Sequence, residues 1–202
     1  MEHGSTLPLD RCPHCNVAKP HLSSVYGFHS HDDRGVTVRK WGNYQCSVCG
    51  GVLLAVAPTA PDHRGNREAL DIVEIWPAPQ QVDAAVPGRA REYLRQAISS
   101  IHAPAGAVIL AASAIDAMLK DKGLTEGNLY RRIQIAAETH LITSEMAEWA
   151  HEVRLDANDQ RHADEMAELP DSSDAKKSIE FSLALAQFLF VLPARVAAGR
   201  AR

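Results

Sequence analysis

The sequence has few aromatic residues and no excess of basic charge. Only 5% of its 202 residues are aromatic, whereas 46% are hydrophobic. Alanine is abundant, which favours closely packed helices over a β-sandwich. The formal net charge is −4, with 7 basic and 8 acidic residues before Val82 and 14 basic and 17 acidic residues from there on. Neither half is basic enough to bind a nucleic-acid backbone by bulk charge. The alternative is a local patch formed by Arg131, Arg132, Arg154 and Arg161.

A long apolar run and a charged, apolar leader are also missing. The most apolar segments, residues 103–115 and 181–192, are shorter than the roughly 20 residues that a membrane-spanning helix needs. The first residues do not have the pattern of a signal peptide. We therefore expect a cytoplasmic protein without a membrane partner, in which both apolar segments are buried helices.

Cysteine is confined to the first 50 residues, where it forms two C-x2-C pairs. In a zinc ribbon, each such pair closes a tight turn and directs both sulfurs at one ion. The residue after each pair should tolerate a positive φ, and Asn16 and Gly50 occupy these positions. The alternative is two disulfides, which a cytoplasmic chain disfavours. Because four cysteine ligands complete a tetrahedral site, we predict a structural and not a catalytic Zn2+. The predicted ligands are Cys12, Cys15, Cys46 and Cys49.

The rest of the first 80 residues fits a small β domain. Residues 36–44 and 51–57 are predicted strands, residues 58–67 a linker rich in proline, glycine and charge, and residues 71–76 a further short strand. The insert between the cysteine pairs contains two histidines and two aspartates that could bind a second metal ion. The preferred interpretation is that these residues lie at the solvated tip of a hairpin. These are His29, His31, Asp32 and Asp33. Zinc ribbon and linker together span residues 1–80.

From Pro87 onward, apolar residues recur with helical spacing. The second predicted helix runs from Pro104 to a stop at Gly123 and is apolar around most of its circumference, so it should be the buried central helix. Asp116 interrupts that apolar surface and needs a partner, for which an arginine of residues 153–162 is the candidate. Asp171 should cap the last helix. Pro193 should end or kink that helix, and residues 197–202 should form a frayed tail. The predicted helical domain spans residues 81–202.

Residues 153–162 combine polar groups on one helical stripe. Arg154 and Asn158 are four residues apart, and Arg161 or His162 continues the same face. The stripe thus brings together a guanidinium, an amide and a group that titrates near pH 7. The alternative is a solvated helix face.

A series of short segments in the helical part occurs in an order shared with a known family. The segments are Ile75-Trp76-Pro77, Val86-Pro87, Ala114-Ile115-Asp116, Lys120-Asp121-Lys122-Gly123, Leu141-Ile142-Thr143 and residues 188–193. Together they resemble domain-of-unknown-function family 4145, a bacterial domain placed with the HEPN-like helical bundles. The resemblance covers roughly residues 71–193. It implies a mainly α protein, in which a HEPN-like antiparallel helical bundle is preceded by a small β zinc ribbon. It also implies a homodimer through the bundle.

The resemblance places Arg154, Asn158 and His162 on the family's arginine, asparagine and histidine pattern, which leaves two functions open. The first is a non-catalytic adaptor with an RNA or protein partner, associated with nucleic acid and with restriction or phage defence, in which the three residues bond to Asp116. The second is a metal-independent HEPN-type endoribonuclease. His162 would then act as base or acid, Arg154 or Arg161 would stabilise charge and Asn158 would orient the substrate across a dimer cleft.

The chain departs from the family pattern, and the spacing of arginine and histidine together with the acidic net charge favours the adaptor. The family's glycine before the asparagine is Ala157 here, and an arginine common in its second helix is Ser113. In addition, more residues separate Arg154 from His162 than separate the arginine and histidine of ribonucleolytic HEPN proteins. A nuclease should expose His162 in a basic cleft, whereas a structural network should bury it against Asp116.

Overall fold

The chain consists of two units, Met1–Gln80 and Gln81–Arg202. The structure is a computed structural model that describes residues 1–162 and 168–201. The helix content is 45% and the strand content 19%, with an antiparallel, curled sheet in the first unit. The protein is therefore mixed α/β, and the expectation of a mainly α protein is wrong. The reason is that the sheet is larger than the short hairpins of the predicted ribbon.

Five antiparallel strands form the sheet of the first unit. Strands β1, β2, β3 and β4 are neighbours in that order, and β5 also pairs with β3. The strands are β1 (Leu22–His31), β2 (Val38–Cys46), β3 (Val52–Pro61), β4 (Arg67–Ala69) and β5 (Glu74–Trp76).

Strands β1 and β4 are the elements that extend the sheet beyond the predicted one. Strand β1 occupies most of the predicted insert, so His29 and His31 lie in a strand and only Asp32 and Asp33 belong to the turn. Strand β3 continues to Pro61 and pairs with β4 inside the predicted linker. Asp62, Arg64 and Gly65 of the predicted linker belong to the tight turn between these two strands, where such residues are favoured. Its two prolines, Pro58 and Pro61, lie in β3.

One face of the sheet carries the core of the first unit. Tyr44, Leu53 and Ala55 point to this face and are almost completely buried. The N-terminal segment covers it, since the Leu7 N–H donates to the carbonyl of Leu22 (3.0 Å). The imidazole of His3 lies against Gly42, where a Cβ would come within 2.8 Å of the ring. Glycine at position 42 therefore allows this segment to approach the sheet closely.

Six helices are present in the described part of the second unit. They are α1 (Gly88–Ser99), α2 (Pro104–Asp121), α3 (Leu129–Glu138), α4 (Ser144–His162), α5 (Ser172–Ala186) and α6 (Leu192–Arg200), and a π-helical turn (Gln187–Val191) joins the last two. Helix α2 contacts α1, α3, α4 and α5 and is the central helix, as its composition predicts. Its buried residues are Ala107, Val108, Ala111, Ala112, Ala114, Ile115, Met118 and Leu119.

The last helix does not end at Pro193. In the π-helical turn, the Leu192 N–H donates to the carbonyl of Gln187, five residues back. This wider turn accommodates a proline ring that would clash with the carbonyl four residues earlier in a regular α-helix. The helix then continues to Arg200, in place of the frayed tail expected from residue 197.

Helix α5, the π-helical turn and α6 form one continuous rod. Within the described residues, this rod (Ser172–Arg200) is long and apolar enough to cross a membrane by length and composition alone. The core helix of a soluble protein passes the same test. Helix α5 packs in part into the core of the second unit, because Ser182 Oγ donates to the carbonyl of Ala111 in α2 (3.3 Å) and Phe181 and Leu185 are fully buried.

Asp116 pairs with an arginine, but not with one of residues 153–162. Its Oδ1 accepts a hydrogen bond from Arg132 in α3 (2.7 Å), and its Oδ2 lies 2.6 Å from Lys120 Nζ. The Arg132 guanidinium also donates to the carbonyls of Thr125 and Gly127. Its side chain is only 9% exposed. This buried arginine therefore joins α2, α3 and the loop between them, and the predicted pair of Arg154 with Asp116 is wrong.

Replacing Arg132 should destabilise the helical unit. Arg132→Ala leaves Asp116 Oδ1 and two carbonyls without their donor, although Lys120 still contacts Oδ2, so we expect a loss of about 3 kcal/mol in the free energy of unfolding. The matched control is Arg131→Ala, because Arg131 forms only an exposed pair with Glu138 and should cost less than about 1 kcal/mol. Urea unfolding measures both variants. Equal losses would show that the Asp116–Arg132 pair has no special structural role.

Candidate functional site

The four cysteines come together at one point of the first unit. Their sulfur atoms all lie within 4.8 Å of one another, and none is in a disulfide. Cys12 and Cys46 are buried, Cys15 is half-buried and Cys49 is exposed. The cluster is compatible with a metal ion.

The two cysteine pairs lie in turns with the same backbone hydrogen bonds. The carbonyl of Cys12 accepts from the Asn16 N–H (2.8 Å), and that of Cys46 accepts from the Gly50 N–H (2.9 Å). Asn16 and Gly50 have φ angles of 58° and 73°, a region that glycine and asparagine tolerate best. In both turns the first cysteine N–H also donates to the carbonyl five residues further on. The positions that the sequence singled out for positive φ are therefore confirmed.

His14 connects the two turns. Its ring packs on Gly51, where a Cβ would lie 2.5 Å from the imidazole, and its Nε2 donates to the carbonyl of Val52 (2.9 Å). The first turn therefore lies directly against the start of β3. The spacing of the cysteines gave no signal for this contact.

The spacing of the sulfurs fits a tetrahedral thiolate site. Cys12 Sγ lies 3.9 Å from Cys49 Sγ, close to the edge of about 3.8 Å that follows from a Zn–S bond of 2.3 Å. Burial acts to raise the pKa of Cys46, but hydrogen bonds from the N–H groups of Cys49 and Val48 and from neighbouring thiols lower it to about 7. Burial raises the pKa of Cys15 to about 12. Four thiolates at this separation repel one another, so a bound cation is needed to ionise them all.

The polar stretch of α4 is not assembled into one network. The Arg154 guanidinium lies over the ring of Tyr130 in α3, 5.3 Å from its centroid. The Arg161 guanidinium donates to Ser113 Oγ (3.4 Å). Asn158 and His162 are exposed. Helical spacing therefore placed these residues on α4 correctly, but it could not show which neighbouring side chain each one contacts.

The four arginines considered for a local basic patch have four different partners. These are Glu138 for Arg131, Asp116 for Arg132, Tyr130 for Arg154 and Ser113 for Arg161. Each of these guanidinium groups is thus engaged by a different residue of the helical unit.

Tyr130 and His151 belong to the surroundings of Arg154 and were missed by the sequence analysis. Their rings are 4.8 Å apart between centroids. Burial, followed by the charge of Arg154, lowers the pKa of His151. Among the described residues, His151 Nδ1 and Arg154 Nε are buried without a hydrogen-bond partner. The available signal was that His151 precedes Arg154 by three residues and so shares its helix face.

Carboxylates gather where α4 faces α5. The pKa of Asp156 is raised, first by partial burial and then by the negative charges of Asp174, Asp159 and Glu152. The positive charge of Lys177 acts to lower it. The last turns of α4 therefore combine the exposed His162 with an acidic surface. An acidic surface disfavours the approach of a phosphate backbone.

Comparison with known proteins places the helical part in one family. Residues 95–202 match the family described as domain of unknown function (DUF4145). The chain thus belongs to the DUF4145 family, and this part of the predicted resemblance is confirmed, although the match begins at Arg95 and not near residue 71. The HEPN-like classification stays a prediction. Searches of curated proteins and of solved structures returned no match.

The raised pKa of Asp156 predicts a pH-dependent effect of its removal. A carboxyl group whose pKa is higher in the folded state than in the unfolded state favours folding when it is protonated. This contribution to stability is complete at pH values below the unfolded-state pKa, about 3.9. It is lost as the pH rises through the folded-state pKa. Asp156→Asn should therefore raise the melting temperature at pH 7.5 by about 1–2 °C, with no gain at pH 3.5. Asp33→Asn in the first unit is the control for loss of one negative charge. A gain that is the same at both pH values would contradict the repulsion.

Proposed function

We propose that this chain is a non-catalytic adaptor with a metal-stabilised sheet unit and a helical interaction unit, associated with nucleic acid. The observation that carries the proposal is the separation of the polar groups of α4. Arg154 stacks on Tyr130, Arg161 reaches Ser113, and the exposed His162 lies on a helix with an acidic surface. Cleavage of RNA needs a base and cationic donors directed at one phosphate, whereas an adaptor needs only stable surfaces.

The ion in the adaptor is Zn2+, held by Cys12, Cys15, Cys46 and Cys49. The support is a set of four sulfur ligands within 4.8 Å in two matching turns, since four thiolates in a tetrahedron select zinc over oxygen-preferring cations. The site has no position left for a substrate. Its role is therefore structural.

The helical unit forms a homodimer in this proposal. Helix α6 has no buried residue, although it is rich in alanine. Phe188, Leu192 and Val196 follow one another at four-residue intervals and are 41%, 45% and 59% exposed. Exposed apolar side chains at this spacing are typical of a helix that packs against a partner. A second copy of the helical unit would cover them.

The adaptor acts in the cytoplasm without a membrane partner. Free, clustered thiols suit a reducing compartment, and the apolar rod of α5 and α6 is explained by core packing in α5 and by the dimer contact in α6. The likeness of the family to HEPN-like helical domains attached to restriction and phage-defence proteins supports a role in defence. The partner is then RNA or another protein of such a system.

A metal-independent HEPN-type endoribonuclease is the second candidate, because His162 and Asn158 are exposed and no contact to Asp116 buries them. In that case His162 is the base or acid, Arg154 or Arg161 the charge stabiliser and Asn158 the orienting amide. A dimer cleft would have to bring these groups together from two copies.

Incubation with RNA separates the two functions. The full chain is incubated with mixed RNA in a buffer without added divalent cations at near-neutral pH, with His162→Ala as the matched variant. The adaptor predicts no cleavage by either protein and the same melting temperature, since His162 is exposed. Cleavage by the wild type that is lost in His162→Ala, without a change in melting temperature, would overturn the adaptor in favour of the nuclease.

A further inference from the structure

The face of the sheet that is opposite to the core carries a row of exposed aromatic rings. Tyr26 in β1 is paired with Asn43 in β2, and Asn43 is paired with Leu54 in β3. Leu54 is in turn paired with Trp76 in β5. In the adjacent register, Phe28 pairs with Trp41. Because directly paired residues and residues two apart on a strand share a face, all four aromatic residues lie on one surface. They are Tyr26, Phe28, Trp41 and Trp76.

The four rings follow one another without a gap. Successive ring centroids are 6.0 Å (Tyr26 to Phe28), 6.0 Å (Phe28 to Trp41) and 5.9 Å (Trp41 to Trp76) apart, with interplanar angles of 27°, 8° and 26°. Trp41 Nε1 donates to Ser30 Oγ (2.7 Å), which fixes its ring. Tyr26, Phe28 and Trp76 are 62%, 41% and 41% exposed. We call these four residues the aromatic row.

Exposed arginines lie at one end of the aromatic row. Arg39 is paired with Ser30 and with Pro58, so it shares the face of Phe28 and Trp41, one register step beyond them. The strands end there in two tight turns, which contain Arg34 and Arg64, both exposed. The Arg67 guanidinium donates to the carbonyl of Val36 (3.1 Å), which joins the second turn to the first.

The two turns have the same construction, with the sequences Asp-Asp-Arg-Gly and Asp-His-Arg-Gly. Asp32 Oδ1 accepts from the N–H groups of Val36 and Thr37 (2.7 and 3.1 Å). Asp62 Oδ1 accepts from those of Arg64 and Asn66 (2.8 and 2.7 Å). Each aspartate is thus occupied by its own turn, while the arginine of each turn remains exposed for an outside anion.

We propose that the aromatic row binds single-stranded nucleic acid, with bases stacked on its rings and phosphates bound by Arg34, Arg39 and Arg64. Stacking on exposed rings is the common mode of single-strand recognition, and arginine suits phosphate. The first unit has 7 basic and 8 acidic residues, so stacking, and not bulk charge, supplies most of the affinity. Bases inside a duplex are covered, so a duplex binds poorly. This proposal deepens the proposed adaptor function by naming its ligand class.

Titration of the full chain with fluorescently labelled single strands tests the aromatic row. The probes are a 12-nucleotide U-rich RNA, the corresponding DNA and a duplex of the same length. We expect saturable binding of one or both single strands and little binding of the duplex. Tyr26→Leu keeps an apolar side chain but removes the ring, and should weaken binding roughly five- to 150-fold. Tyr26→Phe should bind like the wild type, as should the control Leu169→Ala in the helical unit, where Leu169 is 84% exposed.

The arginines are tested by the salt dependence of the same binding. The double variant Arg34→Ala/Arg64→Ala should lower the slope of log K against log salt by about 0.7 for each phosphate that is no longer bound, whereas Arg89→Ala should leave it unchanged. Absence of saturable binding to either single strand, equal binding of the duplex or full binding by Tyr26→Leu would overturn the proposal. A change in oligomeric mass of Tyr26→Leu, without loss of nucleic acid binding, would assign the row to a second copy instead.

The two functional tests fail independently. Cleavage of RNA overturns the adaptor whether or not the aromatic row binds single strands. Loss of binding in the titration overturns the aromatic row as a nucleic-acid surface but leaves a non-cleaving adaptor intact.

Discussion

The approach of four cysteine sulfurs within 4.8 Å is the constraint on which the first unit depends. One cysteine pair precedes β1, and the other joins β2 to β3, so a shared ion ties three parts of the chain together. The buried side chains around it form a small cluster, consisting of Leu7, Cys12, Leu22, Tyr44, Cys46, Leu53 and Ala55. A core of this size gives little stability in a unit of 80 residues, and a metal commonly compensates for that in small domains. The sheet and its aromatic row are therefore expected to exist only with the ion bound.

The helical unit depends on a different interaction. It has a much larger apolar core around α2, which requires no ion, and its buried charges are matched within the unit by Asp116 and Arg132. Stability and recognition are thus divided in this protein. The helical unit supplies packing and, in our proposal, dimerisation, while the metal-dependent sheet presents the exposed rings.

Local patterns predicted the elements whose causes are themselves local. The positive φ angles at Asn16 and Gly50, the central position of α2 and the stop at Gly123 follow from residue type and periodicity within a few positions. The family was recognised from short segments in the helices, and the match to residues 95–202 confirms it. Helix capping by Asp171 is likewise confirmed by a full capping box.

The failures concern contacts between distant parts of the chain. The partner of Asp116 is Arg132 and not an arginine of residues 153–162. Arg132 lies three residues after Leu129 and four before Ala136, which places it on the buried face of α3. The mixed α/β content was missed because β1 and β4 pair through backbone hydrogen bonds, which side-chain type predicts weakly. The same holds for the aromatic row, whose members become neighbours only when the strands align. The alternation of Tyr26 and Phe28 and the repeated Asp-x-Arg-Gly turns were the available signals.

Hydrogen exchange with and without the metal tests the central claim most directly. Protein purified without chelators is analysed for zinc, and amide protection is then compared before and after removal of the ion with a chelator. We predict about one Zn2+ per chain, loss of protection in β1, β2 and β3 on its removal, and unchanged protection in α2. Protein that contains no zinc, or a sheet that stays protected in the chelator, would contradict the account.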